Sequence, residues 1–145
     1  MIVDQPKDFR SENMKLTWNR SFGFTMSSKL LRVQKYIDSK CLRLMVPYTP
    51  MLTGKMRDSA SNGTVTGSGR IIYLSPYARY QYYGKLMVSR LTGSAYARRG
   101  ESKVLTNKEL RHQKSRQFHA GAFWFERMKH DRKAQILKGA GRLLT

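Results

Sequence analysis

The chain has 145 residues, 40% of them hydrophobic and 11% aromatic, which is enough apolar surface for one packed core and too little length for two. Its longest uninterrupted apolar runs, IIYL and AFWF, are four residues, against the roughly 20 that a membrane helix needs, so composition excludes a spanning helix. With 28 Lys and Arg against 9 Asp and Glu the formal charge is +19, spread along the chain, a field that draws in phosphate backbones or acidic protein surfaces without choosing between them.

The first segment, MIVDQPKDFRSENMK, carries acids and lacks an apolar stretch. It therefore reads as neither a secretory signal nor a transit peptide, and a protein that matures in a cytoplasm is expected. MKLTW, residues 14–18, predicts a short strand with Leu16 and Trp18 on one face. From Ser27 the period changes: Leu30, Val33, Ile37, Cys41 and Leu44 recur at three and four residues with Lys and Arg between them. An amphipathic helix is predicted from about Ser28 to about Met45, capped by Ser27 or Ser28 and stopped by Pro47 and Pro50. Cys41 is the only cysteine, so no internal disulfide and no zinc cluster can form, and its expected role is that of a small buried hydrophobe.

VPYTPMLTGKMRDSA follows as a predicted turn, with Gly54 at a positive φ and a sharp reversal near Thr53. GTVTGSGRIIYLS then predicts a β-hairpin around Gly67, Ser68 and Gly69, the source of a small antiparallel sheet. In SPYARYQYYG, Ser75 suits an N-cap, Pro76 the first helical position and Gly84 the residue past the end, so PYARYQYY is predicted as a short helix. Tyr77 and Tyr80 share one side of that helix with Gly84, and Tyr82 and Tyr83 lie on neighbouring sides. Four rings cannot pack into one stripe, so packing and protein contact are favoured for them over base stacking.

Residues 86–116 read as a long basic loop with a strand at KVLT. Arg90, Arg98, Arg99, Lys103, Lys108, Arg111, Lys114 and Arg116 could clamp phosphates or meet an acidic partner, Tyr96 could stack, and a merely solvated loop is the competing reading. The last segment, AGAFWFERMKHDRKAQILKGAGRLL, predicts a partly exposed helix. The expected fold is therefore a single α+β domain over 1–145, with its core at about 28–140. In it an N-terminal amphipathic helix and a C-terminal helix pack on a small antiparallel β-sheet that carries a long basic loop.

For chemistry the sequence offers little. His112, His119 and His130 are scattered with no ligand spacing. There is no G-x-S-x-G elbow, and GTVTGSGR lacks the lysine and following helix of a phosphate-binding P-loop. No enzyme, no cofactor and no metal are expected. A third reading, a small basic nuclease, lacks the paired acids and histidines that metal-assisted hydrolysis usually uses.

The ordered combination PYTPMLTGKMRDSA, SPYARYQYYGK and AGAFWFERMK resembles the minor capsid proteins of tailed phages with long non-contractile tails, and more distantly their tail-completion or head-tail joining components. The residues that carry the resemblance are Pro50, Thr53, Gly54, Met56, Arg57 and Ser59 in a P-x-x-T-G-x-[LM]-R-x-S turn. Tyr77, Ala78, Tyr82, Tyr83 and Gly84 follow in a tyrosine helix, with Tyr80 beside them, and Trp124, Phe125 and Met128 mark a late helix start. The resemblance covers roughly residues 28–140 and leaves the basic loop outside it. It implies a structural virion protein of the neck or tail top, made in the bacterial host cytoplasm. Such a protein joins the head to the tail as a ring beside connector, stopper, tail-terminator or tail-tube neighbours, with non-specific contact to packaged DNA. The alternative is a basic module that holds the DNA backbone without reading sequence.

Overall fold

A computed structural model describes residues 2–112 and 114–144, so residue 113, inside the expected loop 86–116, lies outside the described residues. The fold is α+β, with a long N-terminal helix, a C-terminal helix and two small antiparallel sheets among the described residues. Phe9–Ser11 (β1) pairs with Met14–Leu16 (β2), Phe9 opposite Leu16 and Ser11 opposite Met14. The strand expected at 14–18 is thus one arm of an N-terminal hairpin and ends at Leu16, while Trp18 leaves it to pack at a tilt against Phe22, ring centres 5.2 Å apart.

The first helix, Phe22–Met45 (α1), ends where expected and begins about a turn and a half early. Ser27 does not cap it, since its Oγ accepts the Val3 N–H at 2.9 Å. The first turn is closed from a distance: Gln5 Oε1 accepts the Gly23 N–H at 3.0 Å, and the chain at residues 3–5 passes so close that a Cβ on Gly23 would stand 2.9 Å from the Val3 carbonyl oxygen. A local reading takes Gly23 as a helix breaker, whereas here glycine is what lets the two segments touch. Pro47 then turns the chain through a 3-10 segment, Val46–Tyr48, in which the Thr49 N–H and hydroxyl both donate to the Met45 carbonyl at 3.0 Å.

The predicted turn over 46–60 is half right. Gly54 has φ 86°, but Lys55–Gly63 (α2) winds into a helix that buries Met56 and Ala60, one turn apart on one face. The hairpin expected at 63–75 does not form: residues 64–75 contain no strand. Gly67 and Gly69 do take positive φ values, 99° and 70°, yet their N–H groups donate to Asp38 Oδ2 of α1 at 2.7 and 3.1 Å rather than to a facing strand. Asp38 is 3% exposed and also accepts from the Gln34 side chain at 2.7 Å. A buried carboxylate needs such donors, and taking them from the glycine turn removes the ladder that a hairpin there would have used.

Ala78–Tyr83 (α3) is the short tyrosine helix, and it ends at Gly84 with φ 65° as expected. The sheet sits after it: Lys85–Ser89 (β3) pairs antiparallel with Lys103–Glu109 (β4), Met87 opposite Leu105, with an irregularity between Lys85 and Met87. The segment 86–116 is therefore not one long loop. KVLT is the start of a seven-residue strand, and the connection shrinks to 90–102. Trp124–Gly141 (α4) returns along α1.

Each long helix has the other as its main partner, and α3 adjoins β3. Cys41 and Met45 of α1, Tyr48, Met56, Ala78, and Trp124, Met128 and Ile136 of α4 make one core, whose least exposed members are Met128 at 0% and Trp124 at 1%. Burying a side chain of this size stabilises by about 1.5–3 kcal/mol. At the edge of the core the Tyr48 hydroxyl donates to Asp131 Oδ2 of α4 at 2.7 Å. The Asp131 carboxyl is held below its usual range by His130 Nδ1 and then by this hydroxyl, and the same bond pushes the phenol of Tyr48 up.

Asp38→Ala strands the Gly67 and Gly69 donors and is expected to cost about 2–4 kcal/mol, lowering Tm by about 5–15 °C; an unchanged Tm in a thermal melt would mean that the turn is held otherwise. For Tyr48 and Asp131 the sign runs both ways. The lowered carboxyl contributes above the ordinary Asp value near ~4 and is lost as pH falls through its folded value, while the raised phenol contributes below ~10 and is lost as pH rises through its own. The Tm gap between the native chain and Tyr48→Phe should be widest near neutral pH and close below about pH 4, so a gap independent of pH would remove this bond from the account.

Candidate functional site

The residues of the three motifs lie far apart in sequence and meet around α3. Its C-terminal carbonyls draw the later chain in. The Gln81 carbonyl faces His112 Nε2 at 2.8 Å, the Tyr82 carbonyl accepts the Phe123 N–H at 2.8 Å, and the Gly84 carbonyl accepts the Leu110 N–H at 2.8 Å. A helix end leaves such carbonyls without intrahelical partners, and here the hairpin exit and the entry to α4 satisfy them. At the other end Ser75 does not cap. Its carbonyl accepts the Ala78 N–H at 3.1 Å, Tyr77 stands at the N-cap position, and the Ser75 hydroxyl is buried without a hydrogen-bond partner among the described residues.

The four tyrosines divide. Tyr82 turns inward, its ring edge-on to Trp124 at 4.7 Å, with its hydroxyl donating to Glu126. Burial, and then that bond, pushes the Tyr82 phenol well above its ordinary value. Tyr73 meets Trp124 from another side at 5.5 Å, and burial raises its phenol too. Tyr77 and Tyr80 pair at 6.4 Å, and Lys103 Nζ stands 5.8 Å from the centre of the Tyr80 ring. Tyr83 is 52% exposed and packs edge-on against Phe123, itself 45% exposed, at 5.9 Å. Phe123 has φ 50°, the only positive φ outside glycine among the described residues, so an exposed ring is held in a backbone conformation that costs about 1–2 kcal/mol. The motif residues include Trp124 and Phe125 and leave out Phe123. Its one signal was its place in AFWF beside them.

The first motif lies on the other side of α3. Pro50, Thr53, Gly54 and Met56 border a depression of about 270 Å³ with Tyr77, Gln81, Arg111 and His112. Met56 is buried, Arg57 holds its neighbour Asp58 at 2.9 Å, and Ser59 Oγ donates to the Met56 carbonyl at 2.7 Å, so these residues shape the start of α2. Between α1, residues 69–75, α3 and the head of α4 lies a larger cavity of about 560 Å³. Ile37, Cys41, Met45, Tyr73, Ala78, Tyr82, Trp124 and Phe125 are among its walls. Burial, and then Asp38, raises the Cys41 thiol.

The basic residues do not form one cluster. Arg90, Arg98 and Arg99 are exposed in the connection 90–102 with Tyr96, whereas Arg111, Lys114 and Arg116 follow the opposite end of the hairpin. Arg116 donates to the Leu52 carbonyl at 3.0 Å and Lys103 Nζ to the Ala95 carbonyl at 2.6 Å, while Lys108 is exposed on β4. The connection itself is ordered from within. Buried Ser89 donates to Glu101, its Oγ accepts the Leu91 and Thr92 N–H groups at 3.2 and 3.1 Å, and Glu101 accepts the Arg98 N–H at 3.0 Å. The Ser89 bond, and then the Arg98 N–H, keeps the Glu101 carboxyl below its usual range.

The histidines stay apart: His112 lies at α3, His119 stacks on Tyr48 at 5.3 Å, and His130 sits beside Asp131. Among the described residues no group of three or more His, Cys, Asp and Glu could hold a metal ion, and no helix is long and apolar enough to cross a membrane. Compared with known protein families, with characterised proteins and with solved structures, the chain shows no match.

Tyr82 and Tyr83 should therefore behave differently. Tyr82→Ala is expected to cost about 2–4 kcal/mol in urea unfolding, through the lost contact with Trp124, and Tyr83→Ala no more than about 0.5 kcal/mol. Equal losses would place both rings in the core.

Proposed function

We propose that this chain is a structural virion protein of a tailed phage, a neck or tail-top subunit that joins the head to the tail and assembles as a ring. The observation that carries the reading is the convergence of all three motif segments on α3, which leaves Tyr83 and Phe123 as an exposed aromatic edge. Tyrosine, phenylalanine and arginine are the residues that interfaces favour. The motifs resemble those of minor capsid and tail-completion proteins, and their spatial grouping gives the resemblance a surface. In this reading the work of the chain is positional, without catalysis and without a cofactor. Its neighbours are copies of itself and connector, stopper, tail-terminator or tail-tube proteins.

A second reading, a module that grips the DNA backbone, is favoured by one observation: Arg90, Arg98, Arg99 and Tyr96 all stand exposed in the connection at the tip of the hairpin. The two readings are compatible, because a subunit around the DNA path can touch the passing duplex without reading its sequence.

Deleting the gene from the phage that carries it should yield separate filled heads and tails in electron micrographs, and normal infectious particles would overturn the joining role. For the second reading, replacing Arg90, Arg98 and Arg99 with Ala should lower the salt slope of DNA binding by up to about 3, and an absence of DNA binding at about 50 mM salt would remove it.

A further inference from the structure

We infer that the 560 Å³ cavity beside α3 is a seat for a partner protein, and that it takes an apolar side chain carried next to a carboxylate. The inference rests on the joining role proposed above and names the chemistry of the neighbour. Protein interiors are close-packed, and a space of this size falls in the range of ligand pockets, about 300–1,000 Å³. Its walls are mainly apolar, with Ile37, Cys41, Met45, Ile71, Trp124 and Phe125 among them, so the body of the occupant is apolar.

The polar groups define the rest of it. Asp38 reaches this wall too, but its carboxylate is already engaged by Gly67, Gly69 and Gln34. Other groups there remain unused. The Ser75 hydroxyl is buried without a hydrogen-bond partner, and the exposed Arg79 makes no ion pair among the described residues. Both donate, and a buried hydroxyl left unpaired is an unmet cost that an incoming acceptor removes. A carboxylate is an acceptor for either donor, with a charge-assisted bond at Arg79.

Two other occupants fit less well. A second copy of this chain brings +19 against +19, and of its 9 acids Asp8, Asp38, Asp58, Glu101, Glu126 and Asp131 are already bonded within it, which leaves it only Asp4, Glu12 and Glu109 to offer. A phosphate backbone needs an open row of cations, whereas this cavity is apolar and offers one arginine.

The test is complementation of the deleted gene in trans by the native chain, Arg79→Glu, Arg79→Lys and Ile71→Trp, the last of which fills the cavity from its rim. Circular dichroism of the purified variants checks folding. Arg79→Glu and Ile71→Trp are expected to lower the yield of joined particles by about tenfold or more, with Arg79→Lys near native. If deletion separates heads from tails and Arg79→Glu, folded, joins them as well as the native chain, the seat is overturned and the joining role stands. Should Ile71→Trp fail to fold, Arg79→Glu decides alone. If deletion leaves particles joined, both proposals fall. A native dimer in sedimentation that Arg79→Glu dissociates would put a second copy in the cavity, and a fall in DNA affinity on Arg79→Glu would put nucleic acid there. Either result overturns the proposal.

Discussion

Trp124 is where the distant parts of the chain meet, and the arrangement of everything around α3 depends on its burial. At 1% exposed it takes the edge of Tyr82 from α3 on one side and of Tyr73 on another, and it heads the helix that lies along α1. Edge-to-face contacts of this kind contribute about 0.5–1.5 kcal/mol each beyond the area they bury, and they also fix ring orientation. Because Tyr82 is turned inward by this contact, its neighbour Tyr83 is turned outward. The exposed aromatic edge with Phe123 is thus a consequence of core packing.

Hydrogen bonding sets the positions that packing leaves free. A six-residue helix has too few internal bonds to stand alone, and α3 is held by what binds its end: Phe123 and Leu110 through their N–H groups and His112 through its ring. These three partners carry the chain from the hairpin into α4, so the basic hairpin and the aromatic edge are anchored at the same few carbonyls. The left-handed Phe123 belongs to the same junction. It bends the chain so that its own N–H reaches Tyr82 while its ring stays beside Tyr83.

The charge has a similar division. The excess of 28 basic over 9 acidic residues sets a general attraction for anions, yet the acids are concentrated in structural work. Asp38 holds the glycine turn, Asp131 ties α4 to Tyr48, and Glu101 closes the base of the hairpin connection. The basic residues dominate the surface in number, with arginines at both ends of the hairpin. Such a surface favours acidic partners, and the apolar cavity with Arg79 at its wall adds shape to that preference.

By itself the sequence determined what depends on neighbours along the chain. The three- and four-residue spacing from Leu30 to Leu44 marked α1, Pro47 its end, Gly54 and Gly84 their left-handed turns, and PYARYQYY a short helix. The density of tyrosines marked the stretch around Tyr77 and the motif resemblance marked Trp124, while their contact through Tyr82 belongs to the fold. Tertiary structure decided the rest, because the deciding partner was remote in each case. Gln5 and Val3 start α1 early at Gly23, and Asp38 turns an expected hairpin at Gly67 into a capped loop. Pairing of β3 with β4 makes a sheet of what reads as basic loop. A backbone N–H takes whichever acceptor the fold brings to it, and no local pattern records an acceptor 18 to 31 residues away.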